Sequence, residues 1–218
     1  MPAEAVLFDI DGTLIDSVDL HARAWQEAFE HFGKSIPFEE VRAQIGKGGD
    51  QLIPVFFPEG PVEKIDSWRS DLYKRKYLSQ VRPFPRVREL FQEILRRGIR
   101  IALASSAKGE ELKTYKKLTR IDDLIEAETS ADDAERSKPH PDIFEAGLNK
   151  LDKVDRRRVF AVGDTPWDAI AAGRAGVRTI GVLCGGFPQA DLQAAGCIAI
   201  YRDPTDLLER LDDSPLAR

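Results

Sequence analysis

Short continuous runs of apolar residues recur along this chain, separated by stretches in which apolar residues return every three or four positions. The first run, Ala5-Val6-Leu7-Phe8, does not alternate with polar residues and stops at Asp9. Continuity of this kind marks a strand covered on both faces, as in a parallel sheet between helical layers. Similar runs lie at Ile99 to Ala104, Val159 to Val162, Val177 to Leu183 and Ile198 to Tyr201. Between them, Val87, Leu90, Phe91, Ile94 and Leu95 share one helical face, and Gly98 follows as a cap. Strand and helix in alternation predict an α/β fold with a parallel sheet. In such sheets ligands bind beyond the carboxyl ends of the strands, so the residues that end each strand are the first to read.

One stretch breaks the alternation. From about Asp16 to Arg82 the pattern is helical, with no convincing strand, and Val18, Ala22, Trp25, Phe29 and Phe32 form an apolar stripe ending near Gly33. Asp11-Gly12-Thr13 on one side and Pro83-Phe84-Pro85 on the other favour turns. The expected organisation is a core of residues 1–15 and 83–218 carrying a helical insertion, residues 16–82.

Length and composition narrow the picture. At 218 residues, 42% hydrophobic and 32% charged, the chain is neither a disordered tail nor a fibrous repeat. No apolar run approaches the roughly 18 residues of a membrane span. With 32 basic and 37 acidic residues the net charge is −5, which gives no whole-molecule attraction to nucleic acid. Cys184 and Cys197 have no metal-type spacing and read as packing residues, and the N-terminus lacks a signal-peptide pattern. The expectation is a cytoplasmic chain without membrane or nucleic-acid partners, monomeric by default for want of a coiled-coil pattern.

Reactive groups collect at the strand ends: Asp9 with Asp11, Ser105 with Ser106, and Asp164, with Lys138 on a loop before a helix expected at Pro139 to Leu148. Asp168 follows Asp164 by one helical turn and returns to the same side. Each residue alone reads as a turn acid, a helix cap or a solvated lysine; together they make a site. Two carboxylates 4 Å apart repel by about 4 kcal/mol at an effective dielectric near 20, so such a cluster needs a cation. An oxygen-only donor set selects a hard ion such as Mg²⁺, which shares its shell with phosphate oxygens. Carboxylates, Mg²⁺, a lysine and a serine suit the holding and transfer of a phosphoryl group.

Asp9-Ile10-Asp11-Gly12-Thr13-Leu14-Ile15-Asp16-Ser17, Ser105 after an apolar strand, Ser137-Lys138-Pro139 and Gly163-Asp164-Thr165-Pro166-Trp167-Asp168 resemble, in order, the four motifs of the haloacid dehalogenase-like hydrolase superfamily. The inserted helical segment is similar to the cap of its phosphoglycolate phosphatase and β-phosphoglucomutase branches. The resemblance implies a Rossmann-like parallel sheet core with an inserted α-helical cap domain. It implies that Asp9 is the nucleophile, forming an aspartyl-phosphate, and that Asp11 is the proton-transfer residue. Mg²⁺ would be held by Asp9, the Asp11 carbonyl and Asp164, with Asp168 beside them. Ser105, Ser106, Gly12 and Lys138 would bind the phosphoryl group. The presence of Asp11 favours phosphoryl transfer over dehalogenation, whose leaving halide needs no proton.

Family resemblance assigns leaving-group recognition to the cap, where the candidates are His21, Lys47 in Ile45-Gly46-Lys47-Gly48-Gly49-Asp50, and the basic residues from Arg69 to Lys76. The glycine-rich loop has neither P-loop nor dinucleotide spacing and is expected to be a mobile turn facing the site. The leading expectation is a Mg²⁺-dependent phosphatase acting on a small phosphate monoester. A sugar-phosphate mutase resembling β-phosphoglucomutase is the alternative, although that branch carries an arginine in this loop. A non-catalytic phosphate-responsive module ranks third.

Overall fold

The computed structural model describes residues 2–217. Strand β1 (Ala5–Phe8) is followed by β2 (Ile15–Asp16), helices α1 (Val18–His31), α2 (Phe38–Arg42), α3 (Gly49–Phe56) and α4 (Val62–Leu72), and strand β3 (Arg82–Pro83). The alternating part then runs α5 (Val87–Arg96), β4 (Arg100–Ala104), α6 (Gly109–Thr119), β5 (Ala127–Thr129), α7 (Asp142–Lys150), β6 (Val159–Gly163), α8 (Pro166–Arg174), β7 (Arg178–Val182), α9 (Gln189–Ala194), β8 (Cys197–Tyr201) and α10 (Pro204–Glu209).

Six strands form one parallel sheet in the order β5-β4-β1-β6-β7-β8, so the chain has the α/β Rossmann-like architecture. After β1 the chain builds outward on one side through β4 and β5, then returns to the other side for β6, β7 and β8. The carboxyl end of β1 is therefore a topological switch point, where such sheets open a crevice for ligands. Register aligns the groups that emerge there: Phe8 pairs with both Leu103 and Val162, which sets Asp9 one step beyond all three.

All four residues of β1 are buried, as the unbroken apolar run requires. Their period of two sends Val6 and Phe8 to a core shared with Leu90, Phe91 and Ile94 of α5, and Ala5 and Leu7 to one shared with Phe144 and Leu148 of α7. Gly98 follows α5 at φ +75°, the left-handed turn expected of it.

The helices between β2 and β3 have their own apolar cluster, in which Trp25 and Phe29 of α1 meet Leu52 and Ile53 of α3 and Ile65 of α4. Both ends of this segment are tied together, since β2 and β3 pair antiparallel as Ile15 with Pro83 and Asp16 with Arg82. The stretch expected to lack strands thus begins and ends in one. One strand was not expected, and one helix start needs correction. Strand β5 has no apolar run to announce it, because only Thr129 of its three residues is buried. Helix α7 starts at Asp142 instead of Pro139, because Pro141 turns the preceding residue away from helical geometry. No helix of the described residues is long and apolar enough to cross a membrane.

Candidate active site

Asp9 leaves the end of β1 with 6% of its surface exposed, and Lys138 comes to it from the loop before α7. Lys138 is 2% exposed, and its Nζ lies 2.5 Å from Asp9 Oδ1 and 2.7 Å from Asp168 Oδ1. Burial alone would drive a proton off this lysine, but the charges of Asp168 and Asp9 outweigh burial and raise its pKa. It is a fixed cation between Asp9 and Asp168. Asp168 owes its place to the start of α8: Thr165 N–H and Oγ1 donate to its Oδ2 at 3.1 and 2.6 Å, and its own N–H donates back to Thr165 Oγ1 at 3.1 Å. This capping box aims the other carboxylate oxygen at Lys138.

Asp164 is fully buried one residue past β6. Its Oδ1 accepts from Thr13 Oγ1 at 3.0 Å, whereas its buried Oδ2 has no hydrogen-bond partner among the described residues. The surroundings leave that oxygen open by design of the backbone. A Cβ on Gly12 would stand 2.3 Å from it and one on Gly185 would stand 1.7 Å from it. Gly12 has φ +80° and donates its N–H to the Ile15 carbonyl at 2.9 Å, so what it supplies is clearance. Carboxylate oxygens of Asp9, Asp164 and Asp168 all lie within 4.8 Å of one another. Burial, then repulsion from Asp168, raises the pKa of both Asp9, to about 7, and Asp164, with Lys138 opposing in each case. A buried, unpartnered carboxylate oxygen in a hard-oxygen cluster fits a divalent cation such as Mg²⁺. Asp164 offers it an open oxygen and Asp9 lies beside it, while Asp168 shares Lys138 with Asp9 and is held by Thr165.

Asp11 turns its carboxylate toward α1. Ser17 Oγ donates to its Oδ1 at 2.6 Å, and His21 Nε2 lies 2.9 Å from the same oxygen. Burial opposes its charge, but His21 and the two hydrogen bonds prevail and lower its pKa. The His21 ring stacks on Tyr73 at 4.0 Å, and Tyr73 Oη meets Tyr115 Oη of α6 at 2.8 Å. Tyr73 is presented by a π-helical turn, Tyr73–Tyr77, that continues α4. Ser105 is fully buried at the end of β4, with its Oγ accepting from Ala107 N–H at 3.0 Å, and Ser106 lines the cleft.

The cleft over Asp9 is walled by both parts of the chain: His21, Trp25, Gly46, Lys47, Gly48 and Arg69 from the insertion, and Ser106, Ala107, Glu111 and Lys138 from the sheet side. The glycine-rich loop, expected to be a mobile turn, is seated against the sheet side. A Cβ on Gly46 would meet Thr165 at 2.8 Å, and one on Gly48 would meet Ser137 Oγ at 2.0 Å. Further polar ties span the same boundary. Arg42 Nη2 donates to the Gly185 carbonyl at 2.9 Å, Lys108 Nζ donates to Asp66 Oδ2 at 3.0 Å, and Ser137 N–H donates to Asp50 Oδ2 at 3.1 Å.

Sequence reading assembled Asp9, Asp11, Asp164, Lys138, Ser106, His21 and Lys47, and the structure gathers these around one cleft or its floor. It did not find Thr13, Arg42, Asp66 or Glu111. Nor did it find the Cys184-Gly185-Gly186 turn, although this follows a buried strand, β7, and so lay within reach of the strand-end rule. Cys184, read as packing, donates its thiol to the Gly12 carbonyl at 3.1 Å and has its pKa raised by burial. It helps fix that turn against Asp164.

Pyrophosphatase PpaX of Anoxybacillus flavithermus is 26% identical to this chain over 214 residues, 98% of this chain and 95% of that protein. The crystal structure of a hydrolase from Pseudomonas syringae superposes with a TM-score of 0.89 at 28% identity, covering 96% of this chain and 98% of that one. The structure of CbbY from Rhodobacter sphaeroides in complex with phosphate superposes with a TM-score of 0.75 at 25% identity, covering 94% and 96%. Residues 6–182, most of the sheet and all of the helical insertion, match the haloacid dehalogenase-like hydrolase model, and this chain belongs to that family.

Proposed function

We propose that this protein is a Mg²⁺-dependent phosphatase that acts on a small phosphorylated metabolite through an aspartyl-phosphate on Asp9. The observation that carries the reading is the pairing of Asp9 with buried Lys138 beside the open oxygen of Asp164. In the first half-reaction an Asp9 carboxylate oxygen bonds to phosphorus while the bond from phosphorus to the leaving oxygen breaks, and Asp11 supplies the proton that oxygen needs. In the second, water attacks the phosphoryl group, Asp11 takes its proton, and the Asp9–phosphate bond breaks to release inorganic phosphate. Asp11 rests below the usual carboxyl range, which suits the second step; arrival of a negatively charged substrate raises its proton affinity for the first. Asp9, Asp164 and the Asp11 carbonyl would hold Mg²⁺, which neutralises charge on the transferring group. Lys138 does the same from below, Ser105 and Ser106 orient the phosphoryl oxygens, and Asp168 holds Lys138 in place.

Residues 16–82 serve as a cap that closes over the remaining core and excludes water. The structure of the cap loop favours hydrolysis over the mutase alternative. Gly48 and Gly49 are packed against Ser137 and Asp66, where a Cβ would approach Ser137 Oγ at 2.0 Å and Asp66 Oδ1 at 2.7 Å, and the long cation the loop does carry, Lys47, is a point charge and not the bidentate fork of the mutase pattern's arginine. The test is phosphate release from a panel of sugar phosphates, phosphoglycolate, pyrophosphate and an aryl phosphate, with Mg²⁺ and with chelator. Release that needs the metal and disappears in Asp9→Asn is the expected result. An isomerised product without net phosphate would replace the phosphatase reading with the mutase one, and a stable aspartyl-phosphate without turnover would replace it with a phosphate-responsive module.

A further inference from the structure

One acid in the cleft wall has no part in the reacting centre. Glu111 stands in the first turn of α6, a place that favours a carboxylate, and lines the cleft over Asp9 beside Ser106 and Ala107. It is 3% exposed, and its Oε1 is buried with no hydrogen-bond partner among the described residues. Donors carried by or facing the same helix are turned elsewhere. Tyr115 Oη, one turn along, meets Tyr73 Oη at 2.8 Å. Lys108 Nζ donates to Asp66 Oδ2 and to Ser70 Oγ, each at 3.0 Å, and Lys74 Nζ lies 3.5 Å from the neighbouring Glu110.

A buried carboxylate without a donor or a counter-charge is costly, and folded chains keep few of them. A ligand in the cleft can supply what the chain withholds. A hydroxyl would give Glu111 a hydrogen bond but leave its charge uncompensated, and a carboxylate would add a like charge. A primary ammonium supplies both the donor and the opposite charge. The cations of the facing wall are held by their own surroundings: Arg69 by Asp66 and the Trp25 ring, Lys47 by Gln44 and the Trp167 ring. Size narrows the choice further. The cleft has a volume of about 80 Å³. A water-sized group occupies roughly 10 to 15 Å³, so a phosphoryl group leaves space for a chain of only a few non-hydrogen atoms.

We propose that Glu111 is a specificity-determining residue that accepts a hydrogen bond from a primary ammonium on the leaving group, so that the preferred substrates are phosphate monoesters of short amino alcohols. This inference rests on the phosphatase reading, whose substrate class it names. The selectivity comes from the sheet side of the cleft, since α6 follows β4, and it disfavours leaving groups that end in a carboxylate.

Four non-hydrolysable probes of equal length differ in the group they hold toward Glu111: aminopropylphosphonate, hydroxypropylphosphonate, butylphosphonate with a methyl, and phosphonopropionate with a carboxylate. Calorimetric titration of the full chain in Mg²⁺ is expected to show aminopropylphosphonate binding about 10- to 100-fold more tightly than butylphosphonate. Glu111→Gln and Glu111→Ala should each remove that preference, Glu111→Asp should keep part of it, and Glu110→Gln, at the exposed neighbouring position, should keep all of it. Circular dichroism melts identify any variant that fails to fold, and the ranking of the probes by the unmodified chain then carries the test. No difference among the four probes, hydroxypropylphosphonate or phosphonopropionate binding as tightly as the amine, or an amine preference that survives in folded Glu111→Gln overturns the proposal. Phosphate release from an aryl phosphate in the same preparation tests the phosphatase reading separately: release without the amine preference defeats only the role of Glu111, and preference without release defeats only the phosphatase.

Discussion

His21 Nε2 reaches across from helix α1 to within 2.9 Å of Asp11 Oδ1, so a residue of the insertion holds the carboxylate that emerges from the first strand of the sheet. Stacking on Tyr73, and through it the hydroxyl contact to Tyr115, keeps the imidazole at that angle. The carboxylate proposed to transfer protons is thus held by the insertion. His21→Ala is expected to lower kcat by about 10- to 100-fold, the usual scale for mispositioned acid–base groups, with a smaller change in KM. Tyr73→Phe keeps the stack and should cost less. Steady-state kinetics on any accepted substrate checks both, and a His21→Ala effect confined to KM would contradict this role.

Gly185 bears on the proposed metal site without offering it a ligand. Its missing Cβ is the space in which Asp164 Oδ2 stays open. Gly185→Ala should raise the Mg²⁺ concentration giving half-maximal activity by about tenfold or more, since Asp164 or the turn must shift. Thermal melts without metal distinguish a displaced ligand from a damaged fold. An unchanged Mg²⁺ requirement would show that Asp164 has other room to move.

The same turn is held from the other side by Arg42, whose Nη2 donates to the Gly185 carbonyl at 2.9 Å while Nε donates to Asp19 Oδ1 at 2.7 Å. Arg42→Ala should therefore lower both stability, by about 1 kcal/mol for a partly exposed charged hydrogen bond, and Mg²⁺ affinity. Arg42→Lys cannot span both acceptors and should fall between. Chemical denaturation and metal titration of the two variants provide the comparison.

Protons and metal compete for the same carboxylates. The folded-state pKa of Asp9 is raised from its ordinary value of 3.8 to about 7, so the metal-free fold binds a proton there that the unfolded chain has released. Its stabilising contribution is complete below about pH 4 and is lost as pH rises through 7. In metal-free melts, the stability difference between the unmodified chain and Asp9→Asn should shift against the unmodified chain over that window. Mg²⁺ displaces the proton, so its apparent affinity should increase from pH 6 to pH 8. Calorimetric Mg²⁺ titrations at the two pH values would disprove the competition if they gave the same affinity.

Asp9, Ser105 and Asp164 were legible because strands and their ends are local signals, where an apolar run stops and the next residue is chemical, whereas Lys138, on a loop, was legible from the Ser137-Lys138-Pro139 motif. The register of β1 with β4 and β6 then brings the strand ends to one level. Arg42 gave no such signal. It is one of 32 basic residues, and the carbonyl it grips lies 143 positions along the chain, a pairing that exists only after the insertion has folded onto the sheet. Asp66 was hidden for the same reason. Asp168 was placed on the correct side of its helix, but its two oxygens were already spoken for by Thr165 and Lys138, which spacing alone does not reveal. Strand β5 was missed because its residues are mostly half-exposed and their pairing to β4 comes from the sheet, not from their own pattern.

The pairing of β2 with β3 has a consequence for how such a chain can change over time. With Ile15 opposite Pro83 and Asp16 opposite Arg82, the sheet layer experiences everything between them as a tight hairpin, whatever its actual length. Loop-closure entropy grows only slowly with length, so the helices between the two strands can be lengthened, trimmed or exchanged at little expense to the folding of the rest. Asp9 and Asp164 lie on the sheet side of that junction, and Lys47 and Arg69, which also line the cleft or its wall, on the inserted side. On the proposed reading, chemistry and much of the selectivity sit on different pieces of one polypeptide, so a new selectivity can be acquired by replacing one piece while the other keeps its geometry.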